Sequence, residues 1–99
     1  MADGPQRITR HLVKVLDALL QADADGVELH GWVIVKKAHL WGPTVYGNLD
    51  RLEDWGWATG HWEPLEPDDN RPRRRLYRLT DTGRAEARRI VDERAEAAS

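Results

Sequence analysis

Trp41-Gly42-Pro43-Thr44-Val45-Tyr46-Gly47-Asn48-Leu49-Asp50-Arg51-Leu52-Glu53-Asp54-Trp55-Gly56 decides the fold of this 99-residue chain. Proline suits the first turn of a helix, where its missing N–H is not needed, and Thr44 stands near that start. Val45, Leu49 and Leu52 follow at spacings of four and three, which is one face of a helix. Gly56 ends the run as a C-terminal glycine does. The pattern predicts a helix of about 12 residues entered through a sharp turn. With its apolar stripe turned inward, Thr44, Gly47, Asn48 and Arg51 are expected on the opposite side, with Tyr46 at the flank.

Upstream of this helix, Leu12, Val15, Leu16 and Leu19 repeat at three and four and predict a helix over residues 9–20. Val13 and Leu20 form a second stripe, so this helix is apolar over more of its circumference than a monomer's surface helix usually is. A second contact, with another subunit, is expected there. Asp23, Asp25 and Gly26 make a polar turn, and residues 29–40 read as a shorter second helix. Downstream, residues 57–63 form an aromatic strand candidate, residues 64–72 a proline-bearing acidic loop, and residues 74–80 a second strand. Thr80 or Asp81 can cap a last helix over residues 81–97, whose stripe of Ala87, Ile90, Val91 and Arg94 is thin. The expectation is a mainly α fold with a small β-hairpin, the outline of a winged helix-turn-helix domain. Residues 1–6 are expected to be flexible, 7–80 to form the DNA-binding domain, and 81–99 to form a helix that dimerises with the first.

Charge is unevenly divided. The formal net charge is −2, yet Arg71, Arg73, Arg74, Arg75 and Arg78 place five cations and no acid within residues 71–78. Ten of the 15 basic residues are left against all 17 acids, a surplus of seven negative charges on the rest of the chain. A cationic edge on an acidic body fits a polyanionic partner met at that edge. In a winged helix-turn-helix the third helix enters the major groove and the hairpin reaches neighbouring backbone. Asn48 can pair with adenine and Arg51 with guanine; Gly47 lets the helix backbone approach phosphates closely. Arg71, Arg73, Arg74 and Arg75 are the candidate phosphate clamps on the returning arm, since Glu63, Glu66, Asp68 and Asp69 precede them. Tyr77 is expected in the core, and Arg78 to pair with a surface acid.

Other chemistries lack their parts. There is no cysteine, and the single serine is Ser99, so thiolate and serine nucleophiles have no place. His11, His30, His39 and His61 fall in different elements without metal-ligand spacing, and no cofactor loop is present. No enzymatic activity, metal or cofactor is therefore expected. The longest apolar run, residues 32–35, is far short of the roughly 20 residues a membrane span needs, and residues 1–6 carry no signal pattern. A cytoplasmic protein without membrane contact is expected. Five tryptophans are many for this length; most are expected in the core or at an interface, and a cluster at a dimer seam could stack on a small planar aromatic effector.

Three segments resemble the PadR-like transcriptional regulators. His30-Gly31-Trp32-Val33-Ile34 is similar to that family's His-Gly-Tyr-x-Ile, residues 43–56 to its recognition-helix pattern, and residues 73–83 to its basic wing ending in Tyr-x-Leu-Thr-x-x-Gly. The resemblance covers about residues 9–90. It implies a homodimeric repressor on an inverted-repeat operator in double-stranded DNA. Tyr46, Asn48 and Arg51 would be its recognition contacts and Arg73, Arg74 and Arg75 its wing. Dimerisation is expected to use Val13, Leu20, Ala87, Ile90, Val91 and Arg94. Trp32 stands where the family has tyrosine, and Trp57 where it has an aliphatic residue. In some short members an aromatic residue of the last helix stacks on planar compounds; residues 81–99 hold no aromatic, which speaks against that mode here. A competing reading keeps the scaffold but makes it a protein-interaction module, using the tryptophans and the acids Asp50, Glu53 and Asp54.

Overall fold

A computed structural model of the chain describes residues 7–64, 70 and 73–98. The expected flexible segment, residues 1–6, and Arg71 lie outside them. The order is α1 (Arg10–Ala24), β1 (Leu29–His30), α2 (Gly31–Ala38), α3 (Gly42–Asp54), β2 (Ala58–Trp62), β3 (Arg75–Leu79) and α4 (Asp81–Ala98). Helix α1 is the central rod, touching α2, α3, α4 and β3. It begins at Thr9, whose Oγ1 accepts the Leu12 N–H at 3.1 Å, and buries Leu12, Val15, Leu16, Ala18, Leu19 and Ala22. Its end is closed by the left-handed Gly26, after which the Val27 N–H reaches back to the Ala22 carbonyl at 2.9 Å.

Helix α2 is shorter than expected because Leu29 and His30 are drawn into a sheet. They pair antiparallel with Tyr77 and Leu76, so the hairpin of β2 and β3 gains a third strand in the order β1-β3-β2. Gly60 faces Tyr77 and Trp62 faces Arg75 across β2 and β3. Between α2 and α3 the chain turns at His39, which adopts the left-handed conformation at φ 56°. Pro43 then lies in the first turn of α3, and left-handed Gly56 closes it, with the Trp57 N–H bonded to the Leu52 carbonyl at 2.9 Å.

The junction of wing and last helix explains the Thr-x-x-Gly pattern. Thr80 Oγ1 donates to the Gly56 carbonyl at 2.7 Å and accepts the Gly83 N–H at 3.0 Å, capping α4 while tying it to the end of α3. Gly83 lies so close to the Trp57 backbone that a Cβ there would collide with the Trp57 carbonyl. The core then closes around α1 with Ile34, Val45, Leu49, Leu52, Trp57, Tyr77, Leu79, Ala87 and Ile90. Two residues expected at a subunit seam are therefore already used. Ala87 and Ile90 are buried within their own chain, because the thin stripe of α4 lies on α1. Four helices and a three-stranded antiparallel sheet in this order make a winged helix-turn-helix fold.

Candidate nucleic-acid interface

Helix α3 does not present the face that its residue chemistry alone leads one to expect. Val45, Asn48, Leu49 and Leu52 are its buried residues. Asn48, expected opposite the stripe, is only 7% exposed. Its position decides this, since it stands three residues after Val45 and four before Leu52 and so shares their side. The amide is consumed locally: Nδ2 donates to the Thr44 carbonyl at 2.8 Å, and Oδ1 accepts from Arg51 Nη1 at 3.3 Å. Arg51 is half-buried as well. Its other terminal nitrogen donates to the Arg7 carbonyl, and its guanidinium lies 4.9 Å from the centre of the Trp55 ring. Outward go Tyr46 and Gly47, with Thr44 half-buried beside them and the acids Asp50 and Asp54 fully outside.

The position of Tyr46 depends on a glycine of α2. A Cβ on Gly31 would run into the phenol ring, so the His30-Gly31 pair leaves the space in which Tyr46 lies. The neighbouring Trp32 is half exposed, and Lys36 stacks over it at 4.1 Å.

On the wing the arginines differ from one another. Arg74 Nε meets Glu63 Oε1 at 3.0 Å, and its backbone N–H donates to the same oxygen at 3.2 Å. Arg75 Nη2 donates to Glu53 Oε2 at 2.9 Å, which links β3 to α3 and holds the guanidinium above its ordinary pKa, since the carboxylate favours the charged form. Arg78 reaches Glu28, the surface acid expected for it, at 3.4 Å; His61 meets the same carboxylate at 2.8 Å. Arg73 is exposed and donates to a backbone carbonyl, that of Glu63, at 3.2 Å. Among the described residues it is the one of these arginines with no carboxylate against it. Tyr77 is buried as expected, and burial, followed by the nearby Glu53 charge, pushes its hydroxyl pKa up.

Between the start of α2, the outer side of α3 and the open end of the wing lies a groove of about 370 Å³. Trp32, Tyr46, Trp62, Tyr77, Arg73 and Arg75 are among the residues that line it, so the exposed ring of α3 and the cations of the wing share one side of the molecule. The part played by Glu53, Gly60, Glu63 and Trp62 was not read from sequence. A carboxylate two residues after Arg51 or one before Pro64 carries no signal of which arginine it will meet. Of the tryptophans, Trp57 is buried and Trp55 packs against the core, while Trp32, Trp41 and Trp62 are exposed. Of the remaining seam candidates, Val13 and Leu20 are half-buried against the core, Val91 is half-buried, and Arg94 donates to the Ile8 carbonyl at 3.0 Å.

Comparison with known proteins agrees with this architecture. The sequence model of the transcriptional regulator PadR-like family matches residues 24–89, from the end of α1 through the first half of α4. The chain belongs to the PadR-like family of transcriptional regulators. It is a regulator rather than an enzyme. A solved protein from Ralstonia eutropha is 26% identical, with a TM-score of 0.66 over 85% of this chain and 98% of that one. MepR of S. aureus in a complex with DNA is 26% identical, with a TM-score of 0.66 over 92% of this chain and 63% of MepR. An Archaeoglobus fulgidus protein superposes at a TM-score of 0.74 over 93% of this chain and 92% of that one; at 16% identity it shows the fold alone. No curated protein matches the sequence. Among the described residues no helix is long and apolar enough to cross a membrane.

Proposed function

We propose that this PadR-like regulator is a cytoplasmic repressor that grips an inverted-repeat operator in double-stranded DNA as a homodimer. The observation that carries the reading is the shared side of Tyr46 and Arg73: the exposed ring of α3 and an exposed cation of the wing border one groove. In this reading Thr44, Tyr46 and Gly47 approach the major groove, and Arg73, with Arg71 beside it in sequence, clamps phosphate. Arg74 and Arg75 join when phosphate replaces Glu63 and Glu53. Asn48 and Arg51 act as positioning groups that brace α3. The likeness to MepR, itself solved on DNA, supports the same mode. Residues 7–80 form the DNA-binding part, and α4 joins α1 at the seam through Val13, Leu20, Val91 and Arg94.

Mobility-shift and sedimentation measurements on the full chain with fragments of host DNA test this. A dimer should retard fragments whose half-sites lie about 34 Å apart or a multiple of that. Log affinity should fall with log salt at a slope near −5 for about six phosphates. Equal affinity for random duplex, or a slope near zero, overturns the proposal. The acids Asp50 and Asp54 on the outer face of α3 and the 81%-exposed Trp41 favour a second reading, a protein-interaction module. That reading requires no retarded band at all.

A further inference from the structure

The groove between α3 and the wing is built with more aromatic surface than phosphate clamping needs. Trp32, Tyr46 and Trp62 are exposed by 49%, 42% and 54%, and all three line it. Two glycines make the room. Gly31 gives way to the Tyr46 ring, and at Gly60 an added Cβ would stand 2.8 Å from Arg75 Nε and 3.0 Å from the Tyr77 ring. Arg75 thereby lies across β2, its guanidinium 5.5 Å from the centre of Trp62 and 5.8 Å from that of Tyr77. Arg73 stands at the rim without a carboxylate partner among the described residues.

Exposed rings next to an exposed cation match one chemical object, an aromatic base attached to a phosphate. A paired duplex hides the faces of its bases in the stack and offers these rings only edges and sugars. An unpaired nucleotide offers the π face on which tryptophan and tyrosine stack, and its phosphate falls to an arginine. The acids Asp50 and Asp54 on the outer face of α3 do not lie among the groove's lining residues.

We propose that the groove lined by Trp32, Tyr46, Trp62 and Arg73 is a stacking site for an unpaired nucleotide of a DNA strand. The inference rests on the nucleic-acid reading above and extends it: the regulator holds a base that is out of the helix, at a frayed end or a melted step beside its operator. Stacking of this kind tolerates any base, because every base has a π face. The site therefore adds affinity for opened DNA without adding sequence preference.

Fluorescence titration of the full chain with an oligothymidylate of about eight nucleotides tests it. An abasic strand of the same length and a paired duplex run beside it. The expected result is saturable quenching of tryptophan emission by the thymidylate strand, with at least tenfold weaker binding of the abasic strand. Trp62→Ala should weaken thymidylate binding by roughly tenfold or more, with Trp62→Phe restoring most of it. Trp32→Ala gives an independent loss from another element. Equal binding of abasic and thymidylate strands means charge alone and overturns the inference. So does duplex binding with no thymidylate binding, an outcome that leaves the operator reading standing. Binding of neither nucleic acid removes both.

Discussion

Helix α3 and strand β3 border the same groove, yet they treat their polar side chains in opposite ways. On α3 the amide of Asn48 and the guanidinium of Arg51 turn inward and close on each other and on backbone carbonyls, while Asp50 and Asp54 face water. On β3 and the arm leading into it, Glu63 and Glu53 hold the half-buried Arg74 and Arg75, while the exposed Arg73 meets no carboxylate among the described residues. A group consumed in bracing a helix is expensive to redirect, because its partner would be left unsatisfied. An ion pair that reaches solvent on one side can exchange its carboxylate for a phosphate without leaving the guanidinium unpaired. Under the proposed operator reading, most of the binding free energy falls to the wing, and α3 supplies shape, a ring and a close backbone approach at Gly47.

The largest expected effect tests that division directly. Replacing Arg73, Arg74 and Arg75 together by alanine should weaken operator binding by about a hundredfold or more and flatten the salt slope by about 0.9 for each phosphate given up. Arg51→Ala should keep affinity within about threefold and lower thermal stability instead, since it removes contacts to Asn48, Arg7 and Trp55. Mobility shifts across a salt series, with melting curves of each variant, read both quantities. If Arg51→Ala costs as much binding as the triple change, the helix reads bases after all and the contrast between the two elements is broken.

Much of this was legible beforehand, and the exceptions have physical reasons. The three-and-four spacing of Leu12, Val15, Leu16 and Leu19, the Pro43 start and Gly56 end of α3, and the Thr80 cap are local signals. Each appears in the structure where the chain implied it. Strand β1 is two residues long and exists only by pairing with Tyr77 and Leu76, so nothing within residues 29–30 announces it. Asn48 has the chemistry of a base reader but the helix angle of a core residue, and the Thr44 carbonyl that satisfies it belongs to the fold, not to a motif. Ala87 and Ile90 show a related ambiguity. An apolar stripe states that it must be covered, but not whether its own chain or another copy covers it, and here α1 does so.

A smaller change sharpens the comparison from the other direction. Glu63 restrains Arg74 through its side chain and accepts the Arg74 backbone N–H as well. Glu63→Gln keeps an acceptor for that N–H while removing the charge that competes with phosphate. Operator affinity at low salt should rise about three- to tenfold, with a steeper salt slope, and the gain should shrink as salt screens it. An unchanged affinity would mean that Arg74 stays on the wing even in the complex, which would confine phosphate clamping to its neighbours.

The smallest effect on binding is expected where the same chemistry serves the fold alone. Arg84 of α4 meets Asp23 near the end of α1, with Nε at 2.6 Å from Oδ2 and Nη2 at 3.0 Å from Oδ1, a bidentate pair. Hydrogen bonding from Arg84 lowers the Asp23 pKa in the folded chain, even though partial burial acts the other way. A carboxyl whose folded pKa lies below its unfolded value of about 3.9 contributes stability above that pH. The contribution is lost as pH falls through the lower, folded value. Asp23→Asn should therefore reduce the melting temperature by a few degrees at neutral pH, and the gap between variant and parent should narrow as the pH falls below the unfolded value of about 3.9. Operator affinity should stay at the parent's level, because Asp23 and Arg84 lie outside the groove between α3 and the wing. A loss of binding in Asp23→Asn comparable to that of the wing variants would show that the packing of α4 on α1 sets the geometry of the grip. The division between a bracing helix and a binding wing would then have to include the far side of the domain.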